Sequence, residues 1–484
     1  MLACRTCHIA VLCLILGVLV GQAWGQNLAV FPKEEILLVG GDFRLRSVTS
    51  NIAAASLLGG GESGGFPTQD GATKSFFDTR LRLYWDFRPS ELLRVHYRME
   101  IGDIRFGGSN TENGSDVTGN LVPVIGPGSG GGVGADGVNV ETKNIFLEFA
   151  MPFIPGLSFR GGIMGYGDRY DFNILADDFA GFQFLYNRGD VSAHFVYFRF
   201  FQGDTRDQAD NSHWFGIDGQ LQVNESTRAA ATFYYWSDQE HKSTLGFTPF
   251  QFWIGSEVNS RVTSGLGPIQ VKGFAIYNQG EGFFGRRDGK NHGLNASLAG
   301  DLLLNFGTVG LQVQYITGEH GSKEQIEGGS KDRKNIGAWV SYFNRMYAGP
   351  EIISLGPIID VGDGFSSKWG TGNGFYNGDY NGRLLLIARS AFPVLPSLSL
   401  HLVGAYDWAA ASNVNGDRNR GAEFDLWAQW NILPKLWFRF GGAYYITGNW
   451  WKNNSDASFD GRRPGVPHPD NIWQFGTRLQ YDFG

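Results

Sequence analysis

The sequence predicts an all-β fold, a transmembrane antiparallel β-barrel. The expected number of strands is about 18, within a range of roughly 16 to 20. Three observations carry this prediction. An export signal stands at the N-terminus, segments of alternating polarity recur as far as the C-terminus, and the connections between these segments alternate between short and long.

The N-terminus has the features of a secretory signal peptide. Arg5 precedes an apolar stretch, residues 9–20, which is shorter than the roughly 20 residues that a membrane-spanning helix needs. Small residues occupy both ends of the tripeptide Ala23–Gly25, as a signal-peptidase site requires. We therefore expect residues 1–25 to be removed on export and residues 26–484 to form the barrel.

The composition excludes several classes of function. All three cysteines, Cys4, Cys7 and Cys13, lie in the predicted signal peptide, so the mature chain is expected to hold no cysteine-ligated metal and no thiol catalyst. The net charge of −7 argues against a nucleic-acid partner. A His-Glu-x-x-His motif is missing from the sequence. We expect neither enzymatic activity nor a cofactor.

Alternation of polar and apolar residues is the main evidence for strands. In residues 76–88 the odd positions are apolar except for Thr79, and the even positions after 76 are mostly charged. Residues 473–483 repeat the pattern, and an aromatic residue, Phe483, stands close to the end, as in the assembly signal of bacterial barrels. A period of two is that of a strand with one apolar and one polar face.

The connections between these segments differ in length in a regular way. Short turns are expected near residues 89–91, 151–156, 187–190, 224–226, 305–308, 393–397 and 433–435. Long loops rich in Gly, Asn and Asp are expected at residues 48–75, 105–139, 202–211, 238–249, 279–291, 318–333, 363–379, 410–419 and 448–470. Short periplasmic turns and long extracellular loops are typical of outer-membrane barrels. The weakest strand candidates are residues 250–262 and 350–362.

The charged members of the alternating segments are the candidate pore-lining residues. A charge at mid-bilayer on the lipid-facing side costs about 2–4 kcal/mol, so these side chains are expected to face the lumen. They are Asp42, Arg44, Arg46, Asp78, Arg80, Arg82, Arg94, Arg98, Glu100, Glu148, Arg439 and Arg478. Because the first and last strands of a barrel must pair, the arginines are expected to share one wall. Two interpretations stay open: a basic surface that favours anions, or a neutralised arginine–carboxylate ladder that stiffens the lumen.

Two loop stretches are candidates for pore narrowing or metal binding. The glycine run in the 105–139 loop is a hypothesis for a segment that folds inward and narrows the pore. The stretch from Asp168 to Asp178 is acidic, but it lacks the ligand spacing of a calcium loop. Turn chemistry explains such residues equally well, so no metal site is predicted.

Several short motifs resemble those of porins of the alginate-export type. The residues concerned are Gly41–Arg46, Thr79–Leu83 and Asn144–Phe149, together with the overall length. The resemblance implies an 18-stranded barrel with a charged lumen, a role in polysaccharide export, and loops that restrict the pore. No constriction residue of that family can be matched to a position of this sequence.

These observations predict a channel in the bacterial outer membrane. We expect passive diffusion or export of polar, anionic solutes, either alginate- or uronate-type polysaccharide or small anions. The expected partners are outer-membrane lipid, the solute and, for export, periplasmic machinery. The alternative is a non-conducting scaffold barrel that docks partner proteins.

Overall fold

The computed structural model describes residues 36–51, 73–106, 140–202, 211–238, 248–284, 287–318, 334–337, 339, 350–353, 382–412, 416–452 and 471–484. The expected signal peptide lies outside these ranges. The strands are β1 (Ile36–Ser50), β2 (Lys74–Ser90), β3 (Leu93–Arg105), β4 (Val140–Ala150), β5 (Leu157–Gly167), β6 (Ala176–Arg188), β7 (Val191–Gln202), β8 (Asn211–Asn224), β9 (Thr227–Asp238), β10 (Phe250–Ser264), β11 (Gly267–Phe284), β12 (Arg287–Leu304), β13 (Gly307–Ile316), β14 (Lys334–Ile336), β15 (Arg383–Leu395), β16 (Leu398–Trp408), β17 (Asn419–Leu433), β18 (Leu436–Thr447) and β19 (Ile472–Phe483). A short helix, α1 (Asn449–Lys452), follows β18.

The strands close into one barrel. β1 pairs antiparallel with both β2 and β19, so the sheet has no free edge. β13 pairs directly with β15, whereas the three residues of β14 attach only to the extracellular end of β12, in parallel. The described wall therefore has 18 antiparallel strands, which confirms the predicted fold class. Among the described residues, no helix is long and apolar enough to cross a membrane.

Short turns join consecutive strands at one end of the barrel. They lie at residues 91–92, 151–156, 189–190, 225–226, 265–266, 305–306, 396–397 and 434–435. β1 begins and β19 ends at this same end, which is the periplasmic end by the usual polarity of such barrels. The predicted turns are confirmed, but the turn at residues 265–266 was missed. The long loop expected at residues 279–291 was wrong, because residues 279–284 belong to β11 and residues 287–291 belong to β12.

Two predicted strand candidates have different outcomes. Residues 250–262 belong to β10, as expected. In the 350–362 candidate, residues 351–353 form a turn instead of a wall strand, and residues 354–362 lie outside the described part of the chain. The prediction was wrong for the turn because its apolar pair, Ile352 and Ile353, packs inside the barrel and does not face lipid.

The outer face of the wall is apolar. In β13 the outward residues Val309 and Leu311 are 40% and 67% exposed, whereas the alternate residues Gln312 and Gln314 are buried. A closed barrel satisfies all its backbone hydrogen bonds internally, so an apolar outer band can lie in lipid. This architecture places the protein in the bacterial outer membrane, as predicted.

Candidate pore and its inward loop

The twelve candidate pore-lining residues all lie on the inward face of the wall. Their outward neighbours, such as Phe43 and Phe77, are 42% and 54% exposed, whereas Arg44 is 1% exposed. β1 carries Asp42, Arg44 and Arg46, β2 carries Asp78, Arg80 and Arg82, β3 carries Arg94, Arg98 and Glu100, and β4, β18 and β19 carry Glu148, Arg439 and Arg478. β18, β19, β1, β2 and β3 are consecutive in the closed wall. The eight arginines among these residues form one surface, called here the arginine wall.

Carboxylates in the arginine wall are shared between basic side chains. Asp78 accepts hydrogen bonds from Nη2 of Arg44 at 3.3 Å and from Nε of Arg46 at 3.0 Å. Four further carboxylates lie within ion-pair distance of two basic side chains each: Asp42 with Arg80 and Arg98, Asp86 with Arg88 and Arg94, Glu100 with Arg82 and Lys143, and Glu148 with Arg94 and Arg160. The pattern combines both interpretations of the sequence, because the carboxylates are paired and basic side chains outnumber acidic ones among the described residues of these five strands.

Exposure separates the arginines that a solute can reach from those that hold the wall together. The side chains of Arg44 and Arg46 are 1% and 5% exposed. Those of Arg94 and Arg98 are each 33% exposed, and the contact of Arg98 with Asp42 is long, at 3.7 Å. A long, partly solvated ion pair is weak. Arg98 therefore presents charge to the lumen. Arg94 is equally exposed, although its guanidinium donates two hydrogen bonds to the Asp86 carboxylate.

At the other edge of the wall, two arginines pack on a tryptophan. The guanidinium carbon of Arg439 lies 4.4 Å from the ring centroid of Trp437, and that of Arg478 lies 5.0 Å from it. The indole Nε1 of Trp437 donates to Asp482 at 3.3 Å. Cation–π contacts of this kind contribute about 0.5–2 kcal/mol each and keep the arginine charge in place.

The connection between β5 and β6, residues 168–175, folds into the barrel and is called here the inward loop. The Asp168 carboxylate accepts backbone N–H bonds from Tyr170 at 2.7 Å and from Ile174 and Leu175, both at 2.8 Å. Asp171 and Phe172 have positive φ of 56° and 59°, which reverses the chain at the tip. The Asp168 side chain therefore joins the start of the loop to its end.

Side chains at the loop tip reach the far wall. The Tyr170 hydroxyl hydrogen-bonds to that of Thr232 on β9 at 2.5 Å. The Asn173 Oδ1 accepts hydrogen bonds from Asn295 on β12 at 3.0 Å and from Gln314 on β13 at 2.9 Å. Since these groups are buried, their bonds are costly to leave unmade. The inward loop therefore spans the lumen and is fixed at both ends.

Apolar side chains of the wall pack around the inward loop. At Gly255 on β10 a Cβ would lie 2.5 Å from the Tyr170 hydroxyl oxygen, so the bare backbone makes room for that ring. The buried loop residues Tyr170, Ile174 and Leu175 pack with inward side chains of neighbouring strands, including Phe179, Val196, Phe198, Trp214, Tyr234, Trp236, Trp253, Phe274, Ile276 and Ile316. The loop and these side chains take up space inside the barrel and narrow the passage beside them.

A second segment enters the lumen from the connection between β13 and β15. The backbone N–H of Glu351 donates to Asp425 at 3.0 Å. Those of Ile352 and Ile353 donate to the two oxygens of Glu423 at 2.6 and 2.7 Å. Two carboxylates on β17 thus hold three consecutive backbone donors. Asp425 and Glu423 therefore anchor this segment inside the lumen.

A polar cavity of about 420 Å³ lies on the periplasmic side of the inward loop. Its lining includes Arg160, Arg169, Gln183, His194, Asp218 and Gln220. Arg169, on the inward loop, donates to Gln220 at 2.8 Å, and the Tyr166 hydroxyl donates to Asp218 at 2.9 Å. The cavity has the donors and acceptors to hold a small polar solute.

The inward loop is the feature that sequence reasoning missed. The hypothesis of inward folding concerned residues 105–139, of which 107–139 lie outside the described part of the chain, so it stays untested. The available signal was the presence of three large apolar residues, Tyr170, Ile174 and Leu175, in a connection at the end of the barrel where most loops are expected to be polar. Large apolar residues in such a place indicate burial.

The protein is similar in fold to solved outer-membrane porins. No protein-family model matches the sequence, and no curated protein matches it. OccAB4 of Acinetobacter baumannii is 9% identical, with 94% of this chain and 99% of that chain covered and a TM-score of 0.52. OpdK of Pseudomonas aeruginosa, solved with vanillate, is 12% identical, with coverages of 92% and 98% and a TM-score of 0.52. A BenF-like porin from Pseudomonas fluorescens Pf-5 is 9% identical, with coverages of 92% and 98% and a TM-score of 0.50. At these identities the likeness establishes a porin-type barrel.

Proposed function

We propose that the protein is a diffusion channel for small polar solutes and that it favours anions. The observation that carries the proposal is the sharing of each of five inward carboxylates between two basic side chains, with Arg94 and Arg98 left partly exposed. A surplus of one sign of charge in a low-dielectric channel focuses the field and raises the local concentration of the opposite ion.

The position of the inward loop favours the passage of small solutes over that of a polymer. The loop crosses from β5 to β13 and, with the apolar cluster that packs against it, takes up space inside the barrel. Export of a uronate-type polysaccharide, which the sequence resemblance implies, is the finer form of the proposal and requires the loop to move aside. A non-conducting scaffold is the alternative function, and the two segments that enter the lumen favour it.

Swelling of liposomes that contain the refolded mature chain tests these functions. Gluconate and uncharged sorbitol have similar sizes, so their relative rates report charge preference. We expect gluconate to enter faster, and we expect Arg94→Gln with Arg98→Gln to remove most of the difference. Equal rates for the two solutes in the wild type would contradict the anion preference. Swelling with neither solute would favour the scaffold, and release of an entrapped oligouronate at a comparable rate would favour polymer export.

A further inference from the structure

On the outer surface of β7 to β12, the pairing of the strands arranges the outward residues in rows that run around the barrel. One outward row, called here the polar row, runs through directly paired residues on six strands: Arg199, His213, Ser237, Phe250, Glu281 and Lys290. Two positions closer to the periplasm runs the aromatic row: Tyr197, Phe215, Tyr235, Phe252, Gln279 and His292. Below it the paired residues are Phe195, Ile217, Phe233, Ile254, Tyr277 and Leu294.

This layering locates the boundary of the extracellular leaflet. The polar row lies toward the end opposite the short turns. A charged side chain on the lipid-facing side is costly in the hydrocarbon, and Tyr rings favour the interface at the level of the headgroups. The outward, exposed side chain of Arg199 is therefore at the depth of the lipid headgroups.

Arg199 and His213 form a pair of donors at this depth. They are directly opposite each other on β7 and β8. The Tyr197 hydroxyl lies 2.8 Å from Nδ1 of His213, and the two rings stack with centroids 5.8 Å apart. When the hydroxyl donates to Nδ1, the neutral imidazole carries its hydrogen on Nε2 and can donate it to another group. Directly below, Phe215 is 38% exposed and offers apolar surface.

We propose that Arg199 and His213 bind the phosphate of a lipid in the extracellular leaflet, with its acyl chains lying over the aromatic row. A guanidinium with an adjacent N–H donor matches the oxygens of a phosphate, and such charge-assisted hydrogen bonds are the strong ones. At the far end of the polar row, Glu281 lies opposite Lys290, so a carboxylate faces that basic residue. The proposed site instead combines a guanidinium with an adjacent N–H donor, and it is independent of the proposed channel function.

Native mass spectrometry of the refolded mature chain in a neutral detergent tests the site. The probes are bisphosphorylated lipid A and its fully dephosphorylated form. We expect Arg199→Ala with His213→Ala to lower the affinity for the phosphorylated probe about tenfold and to leave that for the dephosphorylated probe unchanged. Arg188→Ala removes an exposed arginine from the periplasmic end of the outer face and is the matched control.

Folding is verified by the heat-dependent change in electrophoretic mobility. If the double variant does not fold, Arg199→Gln replaces it, and Arg199→Lys should retain most of the binding. Equal affinity of the wild type for both probes, or an equal loss in Arg188→Ala, would overturn the proposal. An unchanged affinity in the folded double variant would overturn it too. Because the site lies outside the barrel, conductance should be the same in all these variants.

Discussion

Replacing Asn173 with alanine should loosen the inward loop from the far wall. Its Oδ1 accepts hydrogen bonds from Asn295 and Gln314, and all three side chains are at most 2% exposed. Water cannot readily replace an acceptor in such a place. Gln314 keeps a second bond to Asn295 at 3.0 Å, so the loss is partial.

The magnitude follows from these two bonds. A buried neutral hydrogen bond contributes about 1 kcal/mol, and a donor left without an acceptor costs about 1–3 kcal/mol. With one bond retained, the packed loop should lose about 2–4 kcal/mol relative to a released loop. The ratio of released to packed loops should then rise about 30- to 1,000-fold.

Single-channel recording of the refolded mature chain measures this change. We expect the Asn173→Ala channel to visit a state of larger conductance that is rare in the wild type. Asn224→Ala, in a periplasmic turn, is the control and should leave the record unchanged. In a background of Asn295→Leu and Gln314→Leu the effect of Asn173→Ala should shrink, because no buried donors remain. One unchanged conductance level, with unchanged noise, would refute the idea that this loop narrows the pore.

Two other perturbations act on the same loop. Gly255→Val should displace the Tyr170 ring, because the new Cβ would lie 2.5 Å from the Tyr170 hydroxyl oxygen. We expect the hydrogen bond from Tyr170 to Thr232 to be lost and the conductance to rise. Unchanged conductance in a folded variant would contradict this packing. Burial raises the pKa of Asp168 to about 7, against the opposing backbone hydrogen bonds, and the nearby charge of Asp218 adds to the rise. A released loop would return this carboxyl to its ordinary value near 3.8, so the packed loop binds an extra proton between these values. Its stability is then greatest below about pH 4 and is lost as the pH rises through about 7. In recordings of the wild type, the state of larger conductance should be more populated at pH 8 than at pH 5. If the Asp168→Asn variant shows the same dependence on pH, the Asp168 carboxyl is not its cause.

The wall of the barrel could be predicted because its rules are local. Alternation assigns a residue such as Arg80 to one face and Leu81 to the other, and closure then brings β1 beside β19. The inward position of the twelve charged residues follows from the cost of charge in lipid. None of this requires knowledge of distant contacts.

The filling of the lumen could not be predicted in the same way. Alternation shows that Trp214 and Trp253 lie on one face of their strands, but both faces of those strands carry aromatic residues. The contacts of Asn173 join positions more than a hundred residues apart. Pairing between Arg98 and Asp42 also crosses β2, and no pattern within one strand reveals which arginine has the weaker partner.

The reversal potential of the wild-type channel in a planar bilayer across a KCl gradient tests the central claim most directly. The account predicts a potential displaced toward that of chloride, because the arginine wall carries more positive than negative charge. Arg94→Gln with Arg98→Gln should displace it toward that of potassium, whereas Arg188→Ala on the outer face should leave it unchanged. A wild-type potential at zero or on the potassium side, or one that the double variant does not move, would contradict the claim that this wall selects anions.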